Sequence, residues 1–293
     1  MMRMFRRGAC LAAFSLVMVL PSMALDWPVD KKIIIGTFGE EVGGRFFDGI
    51  DVGGGQQPVS AVLPGELVFR YDEGDDYSSL PRGLGSFVVL HHEGKIETIT
   101  GNLKKGSLGP ARTSYAAGDP VGTSGDTGFS DGVHLRFSLF DEETASFVNP
   151  LSLLPPVADT QPPVIRQVFL SENDTLIPLA NGVTVPSGQA LVVVQTYDLR
   201  QDVRFQWPLG IYGAHVDLDG KEVSRLVFDS VLVVDGRAVL GGARLALAKV
   251  YTPDGMLVCG SVQLRPGSSH LIISVRDFAG NETTKEISFT IRE

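Results

Sequence analysis

The nine residues from Pro155 to Pro163 contain four prolines, at positions 155, 156, 162 and 163. Proline fixes φ and carries no N–H, so neither a helix interior nor a central strand tolerates that density. The stretch 156–163 therefore reads as a semi-rigid linker. The blocks on either side, 25–155 and 164–293, must each bury a core, and 293 residues are enough for two ordinary domains.

Both blocks read as β structure. Glycine (34) and proline (17) are plentiful and long helical periodicity is scarce, which favours short strands and tight turns. In the first block, strands are expected at 65–69, 86–91, 97–100 and 134–140. In the second, Leu271, Ile273 and Val275 alternate along one run, and Ile287, Phe289 and Ile291 along another. Gly280 and Asn281 mark a turn between the two runs, giving a hairpin with one buried face. Similar runs at 164–170, 190–197, 211–218 and 225–234 suit an Ig-like β-sandwich. The stretch 243–249 is left open as a possible short helix. The fold class expected is all-β.

The amino terminus carries an address. Arg3, Arg6 and Arg7 precede an apolar run from Ala9 to Leu20, and Ser22-Met23-Ala24 offers the small residues of a cleavage site. Residues 1–24 read as a secretory leader, because the apolar run is too short to span a bilayer. Without it, 22 basic side chains face 34 acidic ones, a net charge of −12. Such a product is a poor candidate for nucleic acid or an anionic membrane surface. The mature chain is expected to be exported to the periplasm or cell envelope, with no membrane span. Its one remaining cysteine, Cys259, reads as a small buried hydrophobe.

Three segments of the first block carry further information. Phe46-Phe47-Asp48-Gly49-Ile50-Asp51-Val52 leads into Pro58-Val59-Ser60-Ala61 and Gly65-Glu66-Leu67-Val68. Next come Val88-Val89-Leu90-His91-His92 and Thr98-Ile99-Thr100-Gly101-Asn102-Leu103. Last are Gly125-Asp126-Thr127-Gly128, Gly132-Val133-His134-Leu135-Arg136-Phe137 and Asn149-Pro150. In order and spacing, residues 26–154 resemble the lysostaphin/LytM-type zinc endopeptidases. The resemblance implies an antiparallel β fold with a groove across one sheet, and cleavage of peptide bridges in peptidoglycan.

The same resemblance implies which positions would do the chemistry. The family's zinc ligands fall on Phe47, Asp51 and Arg136, and its other catalytic histidines on Asn102 and His134. Only Asp51 and His134 are of the family's type. Phe47 has no lone pair, and Arg136 has no acceptor and brings a positive charge. A catalytic zinc needs about three protein ligands and an open position, so neither an intact catalytic set nor a metal cofactor is expected. Arg136 is expected to pair with Asp51 in place of the ion.

Blander readings stand beside these. Asp51 alone is most simply a hydrogen-bonding carboxylate, and His134 a structural histidine. His91 and His92 are adjacent on a strand and point to opposite faces, so they cannot share one ion. A rescue of the site by His91 is not expected. Asp72, Glu73, Asp75 and Asp76 lack the alternation of a calcium loop and read as a solvated face. Asp277 and Asn281 read as turn residues.

The function expected is that of a non-catalytic envelope protein. Its groove, with Asp51, Asn102, His134 and Arg136, would bind peptidoglycan peptide or a partner cell-wall hydrolase. An active zinc endopeptidase and a purely structural envelope protein are the alternatives.

Overall fold

The computed structural model describes residues 25–74, 83–173, 175–200 and 207–293. The leader, residues 1–24, lies outside them, as do Asp75 and Asp76 of the acidic loop.

The first domain is built around the strand Leu135–Asp141. It pairs antiparallel with Ile96–Leu103 on one side, and on the other with Ile50–Val52 and then Ser146–Val148. The sheet continues outward through Ser86–His92, Gly65–Tyr71 and Ser114–Tyr115. In Ser86–His92 alternate residues are buried, the two-residue period of a half-buried strand. Its inward side chains join Ile50, Val52, Leu103, Leu135, Phe137 and Leu139 in one core.

The second domain is a sandwich. A four-stranded sheet centres on Val164–Glu172 and Gly188–Tyr197, and a five-stranded sheet on Gly267–Arg276 and Glu282–Arg292. Ile273, Val275, Ile287 and Phe289 face inward against Val168, Val192 and Val194. Cys259 is fully buried among them, and burial pushes its thiol up to about 12.

One expected strand is broken. Residues 225–234 do not run through as a unit: Lys221–Val227 stays in the sandwich, while Ser230–Val234 crosses to the first domain. Asn149 turns the chain there. Its backbone N–H donates to the Asp229 carbonyl and its side-chain amide to the Phe228 carbonyl, at 2.8 and 2.9 Å. Ser230–Val234 then pairs with Ser146–Val148, placing Phe147 opposite Val231. With Arg237–Leu240 and Leu245–Ala246 it extends the first sheet to eleven strands. The ambiguous stretch 243–249 holds the last of these strands and the start of a four-residue helix, Leu247–Val250.

The cores interlock as well. Phe38 and Phe46, from the first domain, are buried in the core of the second, and Leu209 is buried in the core of the first. The linker is pinned. Trp27 Nε1 donates to the Pro155 carbonyl at 2.8 Å, Arg200 to Ala158 and Asn281 to Asp159. Among the described residues no helix is long and apolar enough to cross a membrane.

Candidate functional site

Asp51 and Arg136 are direct cross-strand neighbours. In an antiparallel pair such residues lie side by side on one face, so the meeting of the two side chains follows from register. The pairing expected from the sequence is present. Arg136 Nε donates to Asp51 Oδ1 at 2.7 Å, and Nη2 reaches Oδ2 at 3.4 Å. Both side chains are more than four-fifths buried. A second carboxylate, Asp48, lies 3.8 Å from Nη1. Burial raises the Asp48 carboxyl above its ordinary value, and the guanidinium pulls it partly back.

Phe47 completes the arrangement. The Arg136 guanidinium carbon sits 4.0 Å from the centre of the Phe47 ring, a cation–π contact. The loop that carries Phe47 is held from below by the second domain. Phe47 N–H donates to the Glu40 carbonyl and its own carbonyl accepts from Gly39, both at 2.8 Å. Tyr251 Oη donates to the Gly39 carbonyl, and Gly39 adopts φ +86° with no room for a Cβ against Phe228. A Glu40 oxygen accepts from the N–H groups of Thr37 and Gly210 at 2.7 and 2.9 Å, which fastens the loop to the segment ahead of strand Gly213–Leu218. Burial raises the Glu40 carboxyl. The sequence reading missed Glu40, and no motif marks it.

His134 is buried beside this group. Its Nδ1–H donates to the Gly132 carbonyl at 2.9 Å. Among the described residues its Nε2 takes no hydrogen bond, and it lies 3.7 Å from Asp51 Oδ1. Asn102 has another task. It sits in a left-handed conformation at φ +54° and donates from Nδ2 to the Thr127 carbonyl at 2.7 Å. Its carbonyl accepts from Gly125 N–H, whose own carbonyl accepts from His134 N–H. Asn102 thus braces the turn that presents His134.

The remaining candidates fall elsewhere. His91 pairs with Glu142 at 2.8 Å. His92 is buried, with Nδ1–H donating to the Pro64 carbonyl and Nε2 accepting from the Thr98 hydroxyl, both at 2.8 Å. Asp72 corrects the sequence reading. It is buried, not part of a solvated face, and accepts from Gly74 N–H, Gly106 N–H and the Ser86 hydroxyl. Burial opposes its charge, but these bonds outweigh it and hold the carboxyl below its ordinary value. The glycine-rich turns supplied the donors, a signal only the fold makes visible.

As a donor set the site does not suit a catalytic zinc. Its one carboxylate in ligand position is already bonded by a guanidinium, the ring beneath offers no lone pair, and the nearby imidazole is a single further donor. Beside Arg136 opens a groove of about 330 Å³, lined by Phe47, Asp48, Ile99 and Arg136; Asp51, Asn102 and His134, expected to line it, do not. Val42 and Phe129 stand on its rim, and Phe129 is 72% exposed.

Residues 45–150 match the family model described as peptidase family M23, and a second family model matches residues 162–292. An uncharacterized protein of Treponema pallidum (strain Nichols) is 33% identical over 89 residues, 28% of this chain. The chain spans 60% of the length of that relative. The solution structure of lysostaphin is 14% identical, with 80% of this chain and 98% of that one covered at a TM-score of 0.35. A SpoIIQ–SpoIIIAH pore-forming complex is 19% identical over 44% of this chain and 90% of that one, at a TM-score of 0.37. A zinc-containing peptidase from Vibrio cholerae is 24% identical over 40% of this chain and 36% of that one, at 0.33. Residues 45–150 thus carry a match to peptidase family M23, and Phe47, Asp51, Asn102, His134 and Arg136 all lie within the matched segment.

Proposed function

We propose that the first domain is a catalytically silent M23-type domain that holds no zinc and uses its groove to bind peptidoglycan peptide at the cell envelope. The arrangement of Arg136 carries this reading: its guanidinium bonds Asp51 at 2.7 Å and stacks on Phe47 at 4.0 Å. All three expected ligand positions are thereby used up: Asp51 and Phe47 hold a cation that Arg136 itself supplies. Asn102 cannot cycle a proton near neutrality, and its amide is committed to Thr127.

What the groove retains is shape and apolar surface. An exposed aromatic rim over a partly charged floor suits an extended peptide, with the ring taking aliphatic side chains and Arg136 and Asp48 offering polar contacts. An exported location is the companion proposal, resting on the leader-like residues 1–24.

The test uses purified protein and purified sacculi. The protein is expected to sediment with sacculi and release no soluble fragments, and Phe129→Glu is expected to weaken sedimentation. Stoichiometric zinc, lost to a chelator together with peptidoglycan cleavage, would overturn the silent reading. Protein that stays in the supernatant overturns the binding reading, and stimulation of a hydrolase by that protein would move the groove's occupant to a partner enzyme.

A further inference from the structure

We propose that Asp159, Asp198 and Asp277 form a calcium site where the linker meets the second domain. The three come from separate segments: the proline-rich linker, the end of strand Gly188–Tyr197, and the turn after strand Gly267–Arg276. Each offers a carboxylate oxygen within 4.8 Å of the other two. Calcium binds oxygens at about 2.3–2.6 Å, so ligands on opposite sides of one ion lie up to about 5 Å apart.

The group is buried. Asp277 is 1% exposed and Asp198 6%, and the Asp159 side chain is 3% exposed. Asp277 accepts at both oxygens from Asn281, and Asp159 accepts from Gln161 N–H. Asp198 differs. Among the described residues its Oδ1 is buried and takes no hydrogen bond, although the same carboxylate contributes an oxygen to the cluster with the other two. A buried carboxylate oxygen without a partner is strongly disfavoured, and a cation is the partner this geometry accommodates.

Charge and space agree. Arg200 lies 3.8 Å from Asp159 and donates to the Ala158 carbonyl. Among the described residues, three carboxylates and one guanidinium leave −2, which one divalent ion neutralises. A cavity of about 100 Å³ borders Asp159, Asp198 and Arg200, enough for coordinating waters. All three donors are oxygens, which selects a hard ion over zinc. A cage of buried protein carboxylates suits calcium better than magnesium, which keeps most of its water. This site lies apart from the groove and does not depend on how the groove is used.

The test is a calorimetric titration of chelator-treated, dialysed protein with calcium chloride at pH 7.5, paired with thermal melts. Saturable binding of about one ion per chain is expected, with a Tm rise of about 5–10 °C at a hundredfold excess over Kd. Asp198→Asn is expected to lose that rise and to melt in chelator no lower than the unsubstituted protein, since it removes the orphaned charge. No saturable heat at concentrations up to about 10 mM, beyond the range of weak extracellular calcium modules, would overturn the site. An equal rise with magnesium chloride, or an undiminished rise in a folded Asp198→Asn variant, would also overturn it.

Discussion

Restoring the family's ligands offers a direct test of the silent reading. The double variant Phe47→His, Arg136→His would place imidazoles on either side of Asp51. In the unsubstituted protein an ion bound to Asp51 would sit about 4 Å or less from the guanidinium, since Nε already lies 2.7 Å from Oδ1. At an effective dielectric near 20, a unit pair at that distance repels by about 4 kcal/mol, and a divalent ion by about 8. That corresponds to roughly six orders of magnitude in affinity, before counting the two donors gained. Phe47→His alone leaves the repulsion in place and is expected to bind almost nothing. Arg136→His alone removes it and is expected to bind weakly. The double variant is expected to hold about one zinc per chain after dialysis, measured by mass spectrometry of the metal. It is expected to cleave no peptidoglycan, because Asn102 still lacks a transferable proton. The reasoning is refuted if the unsubstituted protein carries stoichiometric zinc, or if the folded double variant binds no more than it does.

Three further outcomes follow from the geometry. Asp51→Asn leaves Arg136, among the described residues, with Asp48 at 3.8 Å as its one carboxylate; given the residual exposure of the pair, a loss of about 1–3 kcal/mol is expected in urea unfolding. Burial, the largest influence, depresses His92 below its ordinary 6.5, so the unfolded chain takes up a proton that the folded chain refuses. Stability is then full above about pH 6.5 and falls as pH drops below it, and His92→Gln is expected to flatten that slope in melts at about pH 7.5 and 5. Leu240→Ala, at a fully buried position in the crossing hairpin, is expected to cost about 2–5 kcal/mol and to lower a single calorimetric transition; two transitions, only one of them shifted, would contradict the shared core.

Much of the site was legible because it rests on local order. The segment from Phe47 to Asp51 and the strand from His134 to Phe137 carry the motif, and register alone brings Asp51 against Arg136. The inward faces of strands Gly267–Arg276 and Glu282–Arg292 were legible for the same reason, since alternation reports burial directly. What lay beyond the sequence depends on distant partners. Nothing in residues 225–234 says that the strand breaks at Phe228, because the group that turns it is Asn149. Asp72 looked solvated because its donors sit on glycine-rich turns. Asp159 lay in a stretch read only as linker, and Asp277 in a turn, so their convergence with Asp198 left no periodic trace.

The hairpin that crosses between the domains sets a timetable for the ribosome's product. Strand Ser146–Val148 emerges early, yet its outer partner Ser230–Val234 follows only after the proline segment and much of the sandwich. Until then the first sheet presents a bare row of amides and carbonyls, the kind of surface on which nascent chains join one another. The strands that seal the first sheet are made long after the edge they cover, so a truncation between the proline segment and Ser230 would leave an early domain with an adhesive border rather than a free-standing half.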